Sequence, residues 1–295
     1  VEVRAVDVLH REAQVGQVAV LGDIDGLEDA REQSLETPFG APSDAYVVGR
    51  IGEQELAFLP RHARGHQILP GELNFAANIH GFKQLGADAV ISVSAVGSLR
   101  EDIAPGQIVV PGQFIDRTRG RRSTFFGDGV VAHISFADPF CAVLSELTAE
   151  CAERAGATVH RGGIYVCMEG PQFSTRAESH MYRSWGGDVI GMTNLQEAKL
   201  AREAEICYTT LALVTDYDCW HEEHDAVTVD MIIATLTANA VTAQQVVARA
   251  VARLPVDREC ECATALGSAI ITRPGLIPSD VKRDLAPIIG KYVKG

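Results

Sequence analysis

Leu211-Ala212-Leu213-Val214-Thr215-Asp216-Tyr217-Asp218-Cys219-Trp220 reads as a buried strand that runs into a pair of carboxylates. Four apolar residues without alternation suit a strand covered on both faces, as in the parallel sheet of an α/β protein. In such sheets ligands bind beyond the carboxyl ends of the strands, where Asp216 and Asp218 stand. Side chains at i and i+2 of a strand share a face. Two neighbouring acceptors suit a flat ligand offering adjacent N–H groups, such as the N7/N6 edge of adenine. Short acidic residues also cap helices and bind loop amides. The spacing alone does not separate these uses.

Further apolar runs lie at residues 18–21, 57–59, 89–93, 107–110, 163–166 and 189–192, with helical patterns at 74–85, 142–155 and 196–205. Strands alternating with helices indicate an α/β fold whose sheet is largely parallel. The longest helix is expected over residues 230–254, capped by Thr228 or Asp230. No Gly/Ser-rich linker, repeat or low-complexity segment divides the chain. Residues 1–295 therefore read as a single domain with an N-terminal extension (1–17) and a C-terminal helical tail (255–295).

The bulk numbers narrow the function classes. With 295 residues, 46% hydrophobic and 22% charged, the chain can build a large core. No stretch reaches the ~18 apolar residues of a membrane span, and Val1-Glu2-Val3-Arg4 lacks a basic lead and an apolar signal core. A cytoplasmic protein is expected. A net charge of −13 argues against sequence-independent nucleic-acid binding. The basic run 117–122 reads as a solvated loop. Seven scattered cysteines do not form a secreted disulfide framework. Cys260-Glu261-Cys262 is a tight pair that lacks the second half of a zinc site, so packed thiols or a redox-sensitive pair are both open.

Several segments carry candidate chemistry. Arg61-His62 follows the apolar run at 57–59 and can hold an anion through a guanidinium fork and an imidazole donor; a surface basic loop has the same composition. Ser94-Ala95-Val96-Gly97 offers a hydroxyl and exposed amides at a strand end. In Cys167-Met168-Glu169-Gly170-Pro171-Gln172-Phe173-Ser174-Thr175, Phe173 is placed to stack on a planar ring, and Ser174 or Thr175 caps the next helix. Met192-Thr193 pairs a soft apolar side chain with a hydroxyl, although an isolated methionine also serves as core.

Together these segments resemble the 5′-methylthioadenosine phosphorylases of the purine nucleoside phosphorylase superfamily, over roughly residues 34–290. Further matching motifs are Glu36-Thr37-Pro38-Phe39-Gly40, Gln113-Phe114-Ile115-Asp116-Arg117-Thr118, residues 133–141, Thr215 to Trp220, the Cys260/Cys262 pair and Pro287-Ile288-Ile289-Gly290. The resemblance implies an α/β domain with a central mixed β-sheet flanked by helices. It implies no metal and no cofactor, with inorganic phosphate as co-substrate. Arg61, His62, Ser94 and Thr193 would hold phosphate. Met192 would lie against the ribose and engage its hydroxyls through its backbone, with Ala95 also lining the nucleoside pocket. Phe173 would flank the purine, with Ser174 near its edge. Asp216 would share its proton with N7, and Asp218 would accept from the 6-amino group. His133 would reach the 5′ substituent from a neighbouring subunit of a homotrimer or homohexamer.

The sequence also departs from that pattern. The family's glycine-rich phosphate loop follows its first strand, whereas here residues 18–21 run directly into Gly22-Asp23-Ile24-Asp25-Gly26. The simplest alignment deletes most of the loop. The other places Asp25 at the hydroxyl position, where like charges ~4 Å apart repel by about 4 kcal/mol at an effective dielectric of ~20. Ala63, Gly112 and Gln196 replace the usual glycine, aspartate and proline. Three functions are therefore weighed: phosphorolysis of a 6-aminopurine nucleoside, its hydrolysis by water, and catalytically weak nucleoside binding.

Overall fold

The computed structural model describes residues 3–8, 26–221, 229–254 and 260–293. Among them, eleven strands join one mixed sheet. They are β1 (Val3–Val8), β2 (Glu28–Gln33), β3 (Tyr46–Ile51), β4 (Gln54–Pro60), β5 (Ala87–Ser98), β6 (Ile108–Val110), β7 (Gln113–Arg117), β8 (Val159–Arg161), β9 (Ile164–Met168), β10 (Val189–Gly191) and β11 (Cys207–Asp216). The helices are α1 (Phe75–Gln84), α2 (Ala142–Arg154), α3 (Arg176–Ser184), α4 (Asn194–Glu203), α5 (Val229–Arg253), α6 (Ser279–Asp284) and α7 (Ala286–Ile289). No described helix is long and apolar enough to cross a membrane.

The sheet branches at β5. Strands β4, β1, β5 and β11 run parallel in that spatial order. Near its carboxyl end, β5 also pairs antiparallel with β10 through Ser98–Val189 and Gly97–Ile190. A strand of twelve residues can serve both neighbours because it outlasts the parallel ladder. The four parallel strands deliver their carboxyl ends to one edge, and β10 ends there too.

Period-2 alternation divides β5 and β11 between two helical layers. Ile91, Val93, Leu211 and Leu213 pack with Leu144 of α2 and Val246, Val247 and Ala250 of α5. Val90 and Tyr208 face Ile79 and Phe82 of α1, Leu200 and Ala201 of α4, and Ile288 and Ile289 of α7. Two helix starts follow their side-chain signals. Asn74 caps α1 by accepting from the Ala77 amide, and Thr175 with Glu178 forms a capping box on α3.

The expected α/β class and mixed sheet are present, with differences in detail. The run at 18–21 and the altered loop at 22–25 lie outside the described residues, as does Thr228. The central place beside β4 and β5 is taken instead by Val3–Val8. Asp230 lies inside α5 rather than at its cap. Strand β2, Glu-Asp-Ala-Arg-Glu-Gln, has no apolar signal because it is exposed and, among the described residues, pairs only with β3. Residues 260–293 are no mere tail: Leu266, Ile277, Leu285, Ile288 and Val293 belong to the same core cluster as α1.

Ala63 stands where the resemblance places glycine, and its φ is +58°. It closes a tight turn in which its amide donates to Pro60 O at 2.8 Å and its carbonyl accepts from His66 N at 3.1 Å. A Cβ in the left-handed region costs about 1–2 kcal/mol, partly offset by glycine's larger unfolded-state entropy. Ala63→Gly is therefore expected to raise stability by about 0.5–1 kcal/mol, read as a higher urea midpoint at unchanged slope.

Candidate active site

The converging strand ends line a cavity of about 190 Å³. Arg61 follows β4, Ser94 and Ala95 belong to β5, Met192 and Thr193 follow β10, and Asp216 and Asp218 close β11; all line this cavity, with His62 and Phe173. Nine of the eleven residues singled out from sequence are thus brought together. Ser174 does not line it: its hydroxyl faces Met168 Sδ at 3.8 Å. His133 is exposed, with its amide bonded to Ala269 O.

The carboxylate pair is built differently from a simple i, i+2 strand couple. Asp216 is the last residue of β11, beyond an irregularity in its pairing with β5. Asp218 lies in a turn with φ +51°. Its amide donates to Asp216 Oδ1 at 2.8 Å, and Thr215 Oγ1 donates to Oδ2 at 2.6 Å. So Asp216 does bind a loop amide, and both carboxyls face the cavity as well. Burial pushes the Asp216 carboxyl above its ordinary range against those two hydrogen bonds. Burial likewise raises Asp218. Asp218 Oδ2 is buried without a hydrogen-bond partner among the described residues. An orphaned buried acceptor costs free energy unless a donor arrives.

Neighbours hold this turn. Trp220 Nε1 donates to Ser98 O at 2.8 Å beneath the Arg183 guanidinium. Cys219 Sγ donates to Ser174 O at 3.2 Å, tying the turn to the Phe173 loop. Its thiol is raised by burial and by Asp218, which suits packing rather than nucleophilic attack. Gly97 leaves the room Asp216 needs, since a Cβ there would sit 2.9 Å from Asp216 Oδ1.

The basic corner differs more from expectation. Arg61 is fully buried, so it is no surface loop residue. Its Nε pairs with Glu197 Oε1 at 2.8 Å, Nη1 donates to Thr193 Oγ1 at 3.1 Å, and Nη2 donates to Ser92 Oγ at 2.6 Å. Glu197 also accepts from Ser92 and Tyr208, each at 2.8 Å. His62 Nδ1 lies 2.7 Å from Ile68 O, and its ring stacks on His66. A carbonyl partner requires the proton on Nδ1. Burial, then the adjacent His66 and Arg61, lowers His62 to about 3. At neutral pH its Nε2 is therefore an acceptor, contrary to the expected imidazole donor. Ser94 and Thr193 both direct their hydroxyls to Asn194 Oδ1, at 2.8 and 3.2 Å.

Sequence reading gave no role to Asn194, Glu197 or Arg121. Asn194 and Glu197 open α4 and look like ordinary first-turn polar residues until β5 and β11 supply Ser92, Ser94, Tyr208 and Thr210 as partners. Arg121 lies in the basic run read as solvated, yet its side chain is only 2% exposed. It pairs with Glu169 at 3.1 Å and donates to Met192 O and Gln196 Oε1. The Met192 carbonyl is thus already engaged by the protein. Gln196, at the family's proline position, also donates to Thr118 Oγ1 at 2.7 Å and so anchors the same loop.

Comparison with known proteins agrees with this geometry. The family model described as the phosphorylase superfamily matches residues 17–252. The S-methyl-5′-thioadenosine phosphorylase of Koribacter versatilis is 57% identical over 283 residues, covering 95% of this chain and 97% of the relative. That of Geobacter sulfurreducens is 60% identical over 274 residues, covering 92% and 96%. Among solved structures, a methylthioadenosine phosphorylase from an Antarctic soil metagenomic library superposes with a TM-score of 0.90 at 44% identity, covering 97% of this chain and 99% of the other. The Schistosoma mansoni methylthioadenosine phosphorylase in complex with adenine gives 0.79 at 30% identity, covering 97% and 98%. With a shared fold and sequence identity above half across nearly the whole chain, the chain belongs to the S-methyl-5′-thioadenosine phosphorylases of the phosphorylase superfamily.

Proposed function

We propose that the chain catalyses phosphorolysis of 5′-methylthioadenosine, releasing adenine and 5-methylthioribose 1-phosphate. The observation that carries this reading is one cavity lined both by a buried carboxyl pair and by the Arg61, His62, Ser94 and Thr193 corner. The C1′–N9 bond breaks with its electrons moving onto the purine, while a phosphate oxygen bonds to C1′. Charge developing on the leaving adenine is offset by a proton from Asp216 at N7. The raised Asp216 carboxyl favours the form that can supply it. Asp218 Oδ2 accepts from the 6-amino group, which gives that buried oxygen its missing partner.

Phe173, 43% exposed, flanks the purine, while Ser174 stands outside the cavity lining and holds the Phe173 loop to Cys219 through its carbonyl. Met192 and Ala95 pack against the ribose side. For phosphate, the His62 lone pair implies a definite role. Hydrogen phosphate carries one P–OH, and Nε2 accepts from it while Nδ1 stays on Ile68 O. Ser94 and Thr193 turn their hydroxyls from Asn194 Oδ1 onto the anion. The Arg61 charge, partly neutralised by Glu197, supplies the background attraction. His133, exposed in one chain, completes the 5′ pocket of a neighbouring copy in a homotrimer or homohexamer.

Incubation with methylthioadenosine, with and without phosphate, tests the reading through the sugar product. Adenine release is expected to require phosphate and to yield the sugar 1-phosphate. Equal release without phosphate, giving free sugar, would show that water is the attacker. Inosine is expected to be a poor substrate because its 6-oxo edge offers Asp218 no amino donor. Gly97→Ala is expected to lower turnover by up to about 10²-fold, the cost of displacing a reacting group by ~1 Å. Unchanged kinetics in that variant would show that Asp216 is not held where the chemistry needs it.

A further inference from the structure

The sequence separates four cysteines that the fold gathers outside the nucleoside cavity. Cys141 precedes α2, Cys207 opens β11, and Cys260 and Cys262 flank Glu261 at the short 3₁₀ turn Glu261–Thr264. Their sulfur atoms all lie within 4.8 Å of one another, and Cys207 and Cys260 approach to 3.3 Å. Cys141, Cys207 and Cys262 are buried and Cys260 is half-buried. The surroundings are apolar, with Leu144 and Val251 in the same cluster.

We propose that these four side chains form a structural site for Zn²⁺. Four sulfurs at the Zn–S bond length of about 2.3 Å define a tetrahedron with edges of ~3.8 Å, within the observed spread. Two disulfides would require only pairwise approach, whereas here all four sulfurs share one centre. The Cys-x-Cys pair supplies two ligands from one turn, and Cys141 and Cys207 are the half that the local sequence lacks. Cys141 is also the N-cap of the thirteen-residue α2, and among the described residues its side chain makes no capping hydrogen bond there. A helix N-terminus favours a thiolate at that position. On binding, the four thiols release their protons to solvent and become thiolate ligands.

Four protein ligands close the coordination sphere, so the ion has no open position for a substrate. Nor is it near the reaction: Cys207 and Asp216 lie at opposite ends of β11, roughly 30 Å apart at ~3.3 Å per residue. The ion would tie residues 260–293, which fill much of the core beside α1 and α4, to α2 and β11.

The test uses the full chain, purified under reducing conditions, incubated with Zn²⁺ and freed of excess metal. Elemental analysis is expected to find one zinc per chain. Replacement with Co²⁺ is expected to give sulfur-to-cobalt charge transfer and the intense visible bands of a tetrahedral ion. Cys262→Ser is expected to weaken zinc binding at least tenfold and lower the thermal midpoint, while methylthioadenosine turnover below that midpoint is retained. Cys151→Ser, a buried cysteine outside the tetrad, is expected to keep its zinc. Metal-free chains whose four thiols stay reduced overturn the proposal. So do disulfide-linked peptides joining the four cysteines, or zinc retained equally in Cys141→Ser and Cys262→Ser. The cobalt spectrum is read on the unmodified chain and does not depend on a variant folding.

Discussion

Asp216→Asn is expected to lower turnover of 5′-methylthioadenosine by about 10²- to 10⁴-fold, the usual contribution of a positioned proton donor, with a much smaller change in KM. The amide keeps the size of the carboxyl and can still accept from the Asp218 amide. What it loses is the transferable proton. Activity should fall as pH rises through the raised folded-state pKa, because the ionised carboxylate has no proton to give. Asp218 is raised too, so this alkaline limb belongs to the pair. Its disappearance from the pH dependence of kcat/KM in Asp216→Asn identifies the donor.

In Asp216→Asn, stability should move the opposite way to turnover. A carboxyl whose folded pKa lies above its unfolded value of about 3.9 binds its proton more tightly in the fold. Stability is therefore greatest below the unfolded value. It declines as pH rises through the window up to the folded pKa, and the cost persists above it. Asparagine removes that cost, so Asp216→Asn should be more stable than the parent at neutral pH while being nearly inactive. A variant that keeps full turnover would show that N7 receives its proton from another group.

Glu197→Ala is expected to destabilise the fold by about 3–5 kcal/mol, the range for removing one partner of a buried ion pair. The loss leaves the fully buried Arg61 without its carboxylate and removes the acceptor of Ser92 and Tyr208. Glu197→Gln keeps an acceptor and should lose less. Denaturant unfolding of both variants measures the difference. A loss near 1 kcal/mol or below for alanine, the scale of an exposed pair, would mean that Arg61 is stabilised chiefly by its other contacts.

Local patterns went far toward the fold. The continuous apolar runs in β5 and β11 are legible because both faces of those strands are covered, and Asn74 and Thr175 announce helix starts through their own side chains. Strand β2 was not legible, since an exposed strand carries no hydrophobic period. The carboxylate pair was legible as a position but not as a geometry. Its arrangement comes from the left-handed Asp218 and the space left by Gly97, neither visible in an i, i+2 spacing.

By itself, the sequence determined the fold class, the family and nine residues that meet in one cavity, because each rests on a local period or a contiguous motif. Only the tertiary structure decided the charge and hydrogen-bond state of that cavity. Glu197 reaches Arg61 across the sheet, Ile68 fixes the His62 tautomer, and Arg121 turns from an apparent surface charge into a buried clamp on Met192. It alone gathered Cys141, Cys207, Cys260 and Cys262. Electrostatics and ligand geometry depend on distance in space, and the fold sets those distances between residues far apart in the chain.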